Sequence, residues 1–295
     1  MPLQKLVFQP GVDKERTPYS NETMWTDSDK VRFRAGRPET ILGWQEWFSA
    51  TIVGTIRSIH VWSILDGNVY YALGTFSKIY VGTGGSLIDV TPIRATTALG
   101  TDPLTSTAGS AVITVTDTSH GAADGDYVTF SGATTFDGIP DTELNAEHQI
   151  TLIDGNTYTI TVTTTGSAGV SGGGASVIAE YQINVGEEDG FYAAGFGIGA
   201  WGITSYGDAR PSSLGTLNPR TWALTNWGED LVFNPSHGSV FVWDASSPTS
   251  RGTRIDNAPR KVTYTLVTDD RHMMCFGCNT PASDATAEDS LQIRW

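Results

Sequence analysis

Cysteine is almost absent: 295 residues hold two, Cys275 and Cys278. A disulfide framework is thereby excluded, and stability must come from packing or assembly. Charge is scarce as well. Lys, Arg, Asp and Glu make up 17% of the chain, with Gly, Ser and Thr in their place, a mix suited to short strands joined by tight turns. No run of a dozen residues shows helical periodicity. No apolar run is long enough to cross a bilayer, because "FYAAGFGIGAWGI" (191–203) breaks its thirteen residues with four glycines. The opening "MPLQKLVFQPGVDKERTPYS" has no apolar stretch of signal-peptide length. The expectation is a soluble protein made in the cytoplasm, with no membrane insertion.

Positive charge is missing from one long segment. Between Arg94 and Arg210 there is no Lys or Arg, whereas fourteen of the 32 acidic residues fall there; the other 18 match all 18 bases. The net charge of −14 belongs to that segment. Its sign excludes a general nucleic-acid binder. It suits a well-solvated insertion, or a surface that DNA passes without adhering.

What is present is a repeat. Residues 56–93 read as four short strands, "IRSIHVWSIL", "NVYYALG", "SKIYVGT" and "LIDVTPI", with Asp66-Gly67 as a hairpin signal. Residues 221–257 repeat the plan with "TWALTNW", "EDLVFNP", "GSVFVWD" and "RGTRIDN". A third copy starts at 262 with "VTYTLVTDD", "HMMCFGC" and, after a polar loop, "SLQIRW". The second and third copies begin 41 residues apart, the length of a propeller blade. Trp62, Tyr70, Trp222, Phe241 and Trp243 fall on these strands and are expected to pack between blades. A propeller needs roughly four to eight blades to protect its edges. The expectation is therefore a fragment or processed product of a longer chain, or a ring completed by another chain.

The organisation read from this pattern is an N-terminal arm (1–50), a first blade region (51–104), an inserted small β domain (105–183), a Gly- and aromatic-rich connection (184–219) and further blades (220–295). In the arm, "SDKVRFRAGRPETILGW" (28–44) sets Val31 and Phe33 on one face of a short strand and Lys30, Arg32 and Arg34 on the other, with a turn at Arg37-Pro38. In the inserted domain, Ile150 and Leu152 alternate with polar neighbours, Asp154-Gly155 makes a turn, and Tyr158, Ile160 and Val162 alternate on the return. "GVSGGGAS" (169–176) reads as a flexible loop. The fold class is all-β: propeller-like blades, incomplete in this chain, with an inserted sandwich or barrel and an extended arm.

The run "DKVRFRAGRPETILGW" resembles the N-terminal signature of tail tube or nozzle proteins of short-tailed bacteriophages. The inserted "GSAVITVTDTSHGAADGDYVTFSGATTF" and "YTITVTTTGSAGVSGGGASV" look like modules of the same proteins, as do "YQINVG" and the Gly/Trp-rich stretch after it. The resemblance implies a propeller subunit of a hexameric ring in the virion tail. That ring would dock a tail adaptor and fibre or spike proteins, and its lumen would conduct genomic DNA without binding it specifically. Acid facing the lumen would keep DNA from sticking, whereas acid facing outward would suit docking of fibres. The competing class is a glycan-binding adhesin.

Lys30, Arg32, Arg34 and Arg37 are candidates for contacts to an adjacent subunit, because head-to-tail contacts repeat around a ring. The same four also suit pairing within the chain or a contact with DNA. Tyr192, Trp201 and Tyr206 are candidates for a carbohydrate or protein contact. His237, His272, Cys275 and Cys278 have partial zinc-ligand spacing without a second close pair, so buried thiols are the simpler reading. Asp124, Asp126, Asp137 and Asp141 lie in acidic loops without the calcium-loop pattern and read as turn formers. "GTGG" and "GFGIG" lack the strand–loop–helix context of a phosphate site. Glu187 and Glu188, taken as neighbours on a strand, point to opposite faces and cannot flank one glycosidic bond. No catalytic residue, metal or cofactor is expected.

Overall fold

The computed structural model describes residues 9–190, 218–279 and 287–295, apart from positions 22, 42, 44 and 45. The chain divides into two compact units, Met1–Ser49 and Ala50–Trp295. The first contains a hairpin of β1 (Val31–Arg34) and β2 (Arg37–Thr40). Its turn is Ala35-Gly36, at φ +48° and +78°, the positive pair that a two-residue hairpin loop requires. The turn expected at Arg37-Pro38 is therefore displaced, and both residues belong to β2. Pro38 faces Phe33, three steps from the bonded pair in which Ile41 donates its N–H to the Lys30 carbonyl. The antiparallel alternation asks no donor of Pro38 there.

The second unit opens with β3 (Ile56–Ser63), β4 (Val69–Thr75), β5 (Ile79–Thr83) and β6 (Ser86–Asp89), an antiparallel meander in chain order. The chain then builds the inserted module from β7 (Ile93–Ala98), β8 (Leu104–Thr105), β9 (Val112–Thr116), β10 (Tyr127–Ser131), the single-turn α1 (Asp141–Leu144), β11 (Glu147–Gln149), β12 (Thr151–Leu152), β13 (Thr157–Thr161), β14 (Ser171–Gly172) and β15 (Ile178–Gln182). These form two sheets, β11-β10-β15-β7 and β12-β13-β9-β8-β14. Their inner faces meet in a core of Leu104, Ile113, Val115, Phe130, Ile150, Tyr158, Ile160 and Tyr181, among others. At its centre the Tyr158 and Tyr181 hydroxyls lie 2.8 Å apart, and Tyr181 donates to Asp117 Oδ2 at 2.6 Å.

Two local expectations fail in this module. Ile150 is buried but Leu152 is 38% exposed, because the chain passes from one sheet to the other between β11 and β12 and the alternation restarts. "GVSGGGAS" is not a loop throughout. Ser171 and Gly172 pair with Thr105 and Leu104, and Gly172 lies so close to Phe136 that a Cβ would sit 2.6 Å from its ring.

After residue 217 the second meander runs β16 (Trp222–Trp227), β17 (Asp230–Pro235), β18 (Phe241–Trp243) and β19 (Thr253–Arg254). The third has β20 (Val262–Val267), β21 (Met273–Cys278) and β22 (Asp289–Arg294). The fold is all-β: the described residues form six separate antiparallel sheets, none closed, three of them blade-like meanders.

The meanders stack in order. β16 lies against β3 on one side and β20 on the other. On β17, Leu231 and Phe233 point into a core shared with Trp62, Ile79 and Val81 of the first meander, while Val232 points into one shared with Val262, Cys275 and Cys278 of the third. A sheet covered on both faces needs apolar residues at every step, which explains the unbroken "LVF". Polar clasps join the layers. Trp62 Nε1 donates to the Glu229 carbonyl at 2.9 Å, Trp222 Nε1 to the Thr75 carbonyl at 2.6 Å, and Asn234 Nδ2 to the Val262 carbonyl at 3.0 Å.

Candidate functional site

Three features of the structure are sites of potential contact: the cationic hairpin, the outer faces of the meander stack, and the anchor of the inserted module. In the hairpin, Val31 and Phe33 are half-buried and Arg32 and Arg34 exposed, the alternation that the sequence predicts. Arg32 Nε reaches Glu39 Oε2 across the ladder at 3.3 Å, so that cation is paired within the hairpin. Arg34 and Arg37 stand directly opposite each other, and Lys30, at φ +53°, precedes the strand. None of these three has a carboxylate partner among the described residues. Like charges facing across a ladder repel, so the tip is stabilised by any anion brought to it.

The stack has two open faces. In β3, His60 and Trp62 turn toward the second meander, where His60 Nε2 meets Asn226 Oδ1 at 3.2 Å. The intervening residues turn away, leaving Ile59 65% and Val61 58% exposed. In the third meander Cys275 turns inward. The opposite face carries Tyr264, Phe276 and Ile293, aligned across three strands, with Leu266, Met274 and Leu291 in the same phase. Leu291 is 89% exposed. Between the second and third meanders, Trp227, Val232, Val242, Ile255, Met273 and Trp295, together with Asp230, Arg271 and His272, line a mainly apolar groove of about 510 Å³. The expected inter-blade aromatics, Trp62, Tyr70, Trp222, Phe241 and Trp243, all meet between the first and second meanders.

An ionic cluster anchors the module to the meanders. Lys78, in the β4–β5 turn, is 2% exposed. Its Nζ contacts Asp89 Oδ2 at 2.9 Å, makes a short contact to Glu147 of the module, and sits 4.4 Å from the centre of the Tyr127 ring. Arg251 of the second meander closes the group, 3.5 Å from Asp89 and 3.6 Å from Glu147. Burial pushes the Asp89 carboxyl up, but Lys78, the Thr91 N–H and Arg251 together hold it below its ordinary value. Sequence reasoning missed this cluster. Its one local signal is a lysine inside the otherwise apolar "SKIYVG", and its partners lie far along the chain.

The other candidates disperse. The β-bulge at Gly277, φ +58°, lets Cys275 and Cys278 both face the same core. Burial raises both thiol pKa values. His272 packs on Trp295, and His237 Nδ1 lies 2.7 Å from Glu288 Oε2, so neither joins the thiols. Among the described residues no group of three metal-ligating side chains converges.

The acidic loops hold backbone. Asp137 accepts from Ser106, Ser167, Ala168 and Gly169, which hold its carboxyl far below the usual range. Asp126 accepts from Ala123, Asn184 and Val185. Asp124 accepts from the Leu152 N–H, and Asp141 lies against Thr135. Glu187 and Glu188 are not on a strand. Both are exposed, and their carbonyls accept from Arg220 and Arg57. "GTGG" is the β5–β6 turn, whereas Tyr192, Trp201, Tyr206 and "GFGIG" lie outside the described residues. No helix among the described residues is long and apolar enough to cross a membrane.

No family model matches the chain, and no curated protein does. Among solved structures the Phage phi92 endosialidase is similar over 82% of this chain, with 12% identity and a TM-score of 0.27. The chain spans 36% of that protein's length. A likeness at that TM-score carries no argument about what this chain does.

Proposed function

We propose that the chain is a structural subunit of a phage tail, its three meanders being sectors of a propeller toroid in a ring that conducts the genome. The observation that supports this reading most is the pair of open apolar faces, Ile59 and Val61 at one end of the stack and Tyr264, Phe276, Leu291 and Ile293 at the other. The middle meander is covered on both faces in the way each end face still requires. Exposed apolar sheet surface of this kind is an aggregation liability unless another sheet covers it.

The module gives the ring an acidic surface: its residues 105–183 carry nine acids and no Lys or Arg. Arg34 and Arg37 of the arm supply the complementary sign, suited to carboxylates of a neighbouring copy. The ring would be hexameric, with an adaptor and fibres as its partners.

Light scattering and negative-stain averaging of the chain with tail adaptor protein test this reading. Rings with axial symmetry support it. A monodisperse monomer, alone and with the adaptor, overturns it. Selective retention on a glycan array without ring formation would favour the adhesin instead.

A further inference from the structure

A cavity of about 770 Å³ opens where the base of the module meets the second meander. Its wall carries Arg94, Arg220, Arg254, Arg260, Lys261 and His237, with no Asp or Glu among the lining residues. In a chain of 32 acids and 18 bases, five bases converge on one concavity.

Three carboxylates lie near the wall. Asp126 accepts two backbone N–H groups and the Asn184 amide, and its charge opposes those of Arg94 and Arg220. Glu288 pairs with the wall's own His237, and Asp256 lines a separate pocket that shares Arg254 and Arg260. None of Arg94, Arg220, Arg254 and Lys261 makes an ion pair with a carboxylate among the described residues.

Two of the cations are held in place. Arg94 donates twice to the His120 carbonyl at 3.2 Å and stacks 5.6 Å from the Tyr181 ring. Arg220 donates to the Asn184 carbonyl at 2.5 Å and packs over Gly186, where a Cβ would sit 2.4 Å from it. Burial depresses the Arg220 guanidinium to about 10, with Asp126 the opposing influence. A group of cations around one open concavity, with Ile183 and Phe241 in its lining, raises the local concentration of anions and rewards planar oxyanion geometry. The volume lies in the range of small-molecule sites, roughly 300–1,000 Å³.

We propose that this cavity binds a small molecule carrying two or more carboxylate or phosphate oxyanions. The site is independent of ring formation, since every lining residue belongs to one chain.

Calorimetric titration of the full chain with pyrophosphate and with citrate tests it, the two probes separating a phosphate from a carboxylate source. Saturable one-site binding of either supports the proposal. So does its weakening by about tenfold or more in Arg254→Ser/Lys261→Ser, with Arg32→Ser in the arm as an unaffected control. Should the double variant fail to fold, Lys261→Met alone must still weaken binding severalfold. Absence of saturable heat with both probes overturns the proposal. Binding that the cavity variants leave unchanged does so too, because it would then lie elsewhere.

Discussion

Replacing Lys78 with Met removes the deepest charge of the cluster that joins the module to two meanders, while keeping the length of the stem. Asp89 and Glu147 then face each other with only Arg251, at 3.5 and 3.6 Å, to balance them. Breaking a fully buried pair costs about 3–5 kcal/mol. The two carboxylates keep 21% and 30% side-chain exposure, so solvent offsets part of the loss and the expected cost is roughly 2–3 kcal/mol. In a unit of this size that is a fall of about 4–12 °C in Tm.

The pH dependence has a definite sign. The folded Asp89 carboxyl lies below its ordinary 3.8. Its stabilising contribution is therefore present above that value and is lost as pH falls through the lower folded value. Melts of wild type and Lys78→Met should thus differ most near neutrality and converge as pH falls through the lowered folded value of Asp89. A cycle with Glu147→Gln should show coupling of about 1–3 kcal/mol. A difference of less than about 0.5 kcal/mol at pH 7, the level of an ordinary surface substitution, would refute the anchor. So would a gap that acid leaves unchanged.

Gly74→Ala forces a Cβ to within 2.4 Å of the Trp222 indole and should lower stability by about 1–3 kcal/mol, read by tryptophan-monitored denaturation. Phe233→Ala empties the contact between the first two meanders and should cost about 3–5 kcal/mol, with loss of protection in β3 and β16 by hydrogen exchange. The raised thiol pKa values of Cys275 and Cys278 predict slow alkylation at neutral pH that speeds up only in denaturant, and no stoichiometric zinc by elemental analysis. Arg32→Ala should change stability by less than about 1 kcal/mol, because its partner Glu39 is exposed with it.

Much of the stack was legible in the sequence, because a sheet buried on both faces leaves continuous apolar runs. "EDLVFNP" and "SKIYVGT" became β17 and β5 for that reason. Legibility failed where one residue changes phase. The Gly277 bulge reverses the direction of Cys278, and the crossing between sheets at Ile150 separates it from Leu152. It failed again for turn placement in the arm, where Ala35 takes a positive φ that its residue type does not announce. The contacts of the Lys78 cluster and the cationic cavity were invisible for a different reason. Lys78 and Glu147 are 69 positions apart, and Arg94 and Lys261 are further still, so their meeting is a property of the fold and not of any local pattern.

The central question is whether this chain sits in an axially symmetric tail ring. Averaged electron images of intact particles, labelled with an antibody fragment against the exposed β12–β13 hairpin, measure this. The predicted result is label density repeated around the tail axis at one fixed height. Particles whose tails carry no label, or carry it at scattered positions off the axis, would contradict it.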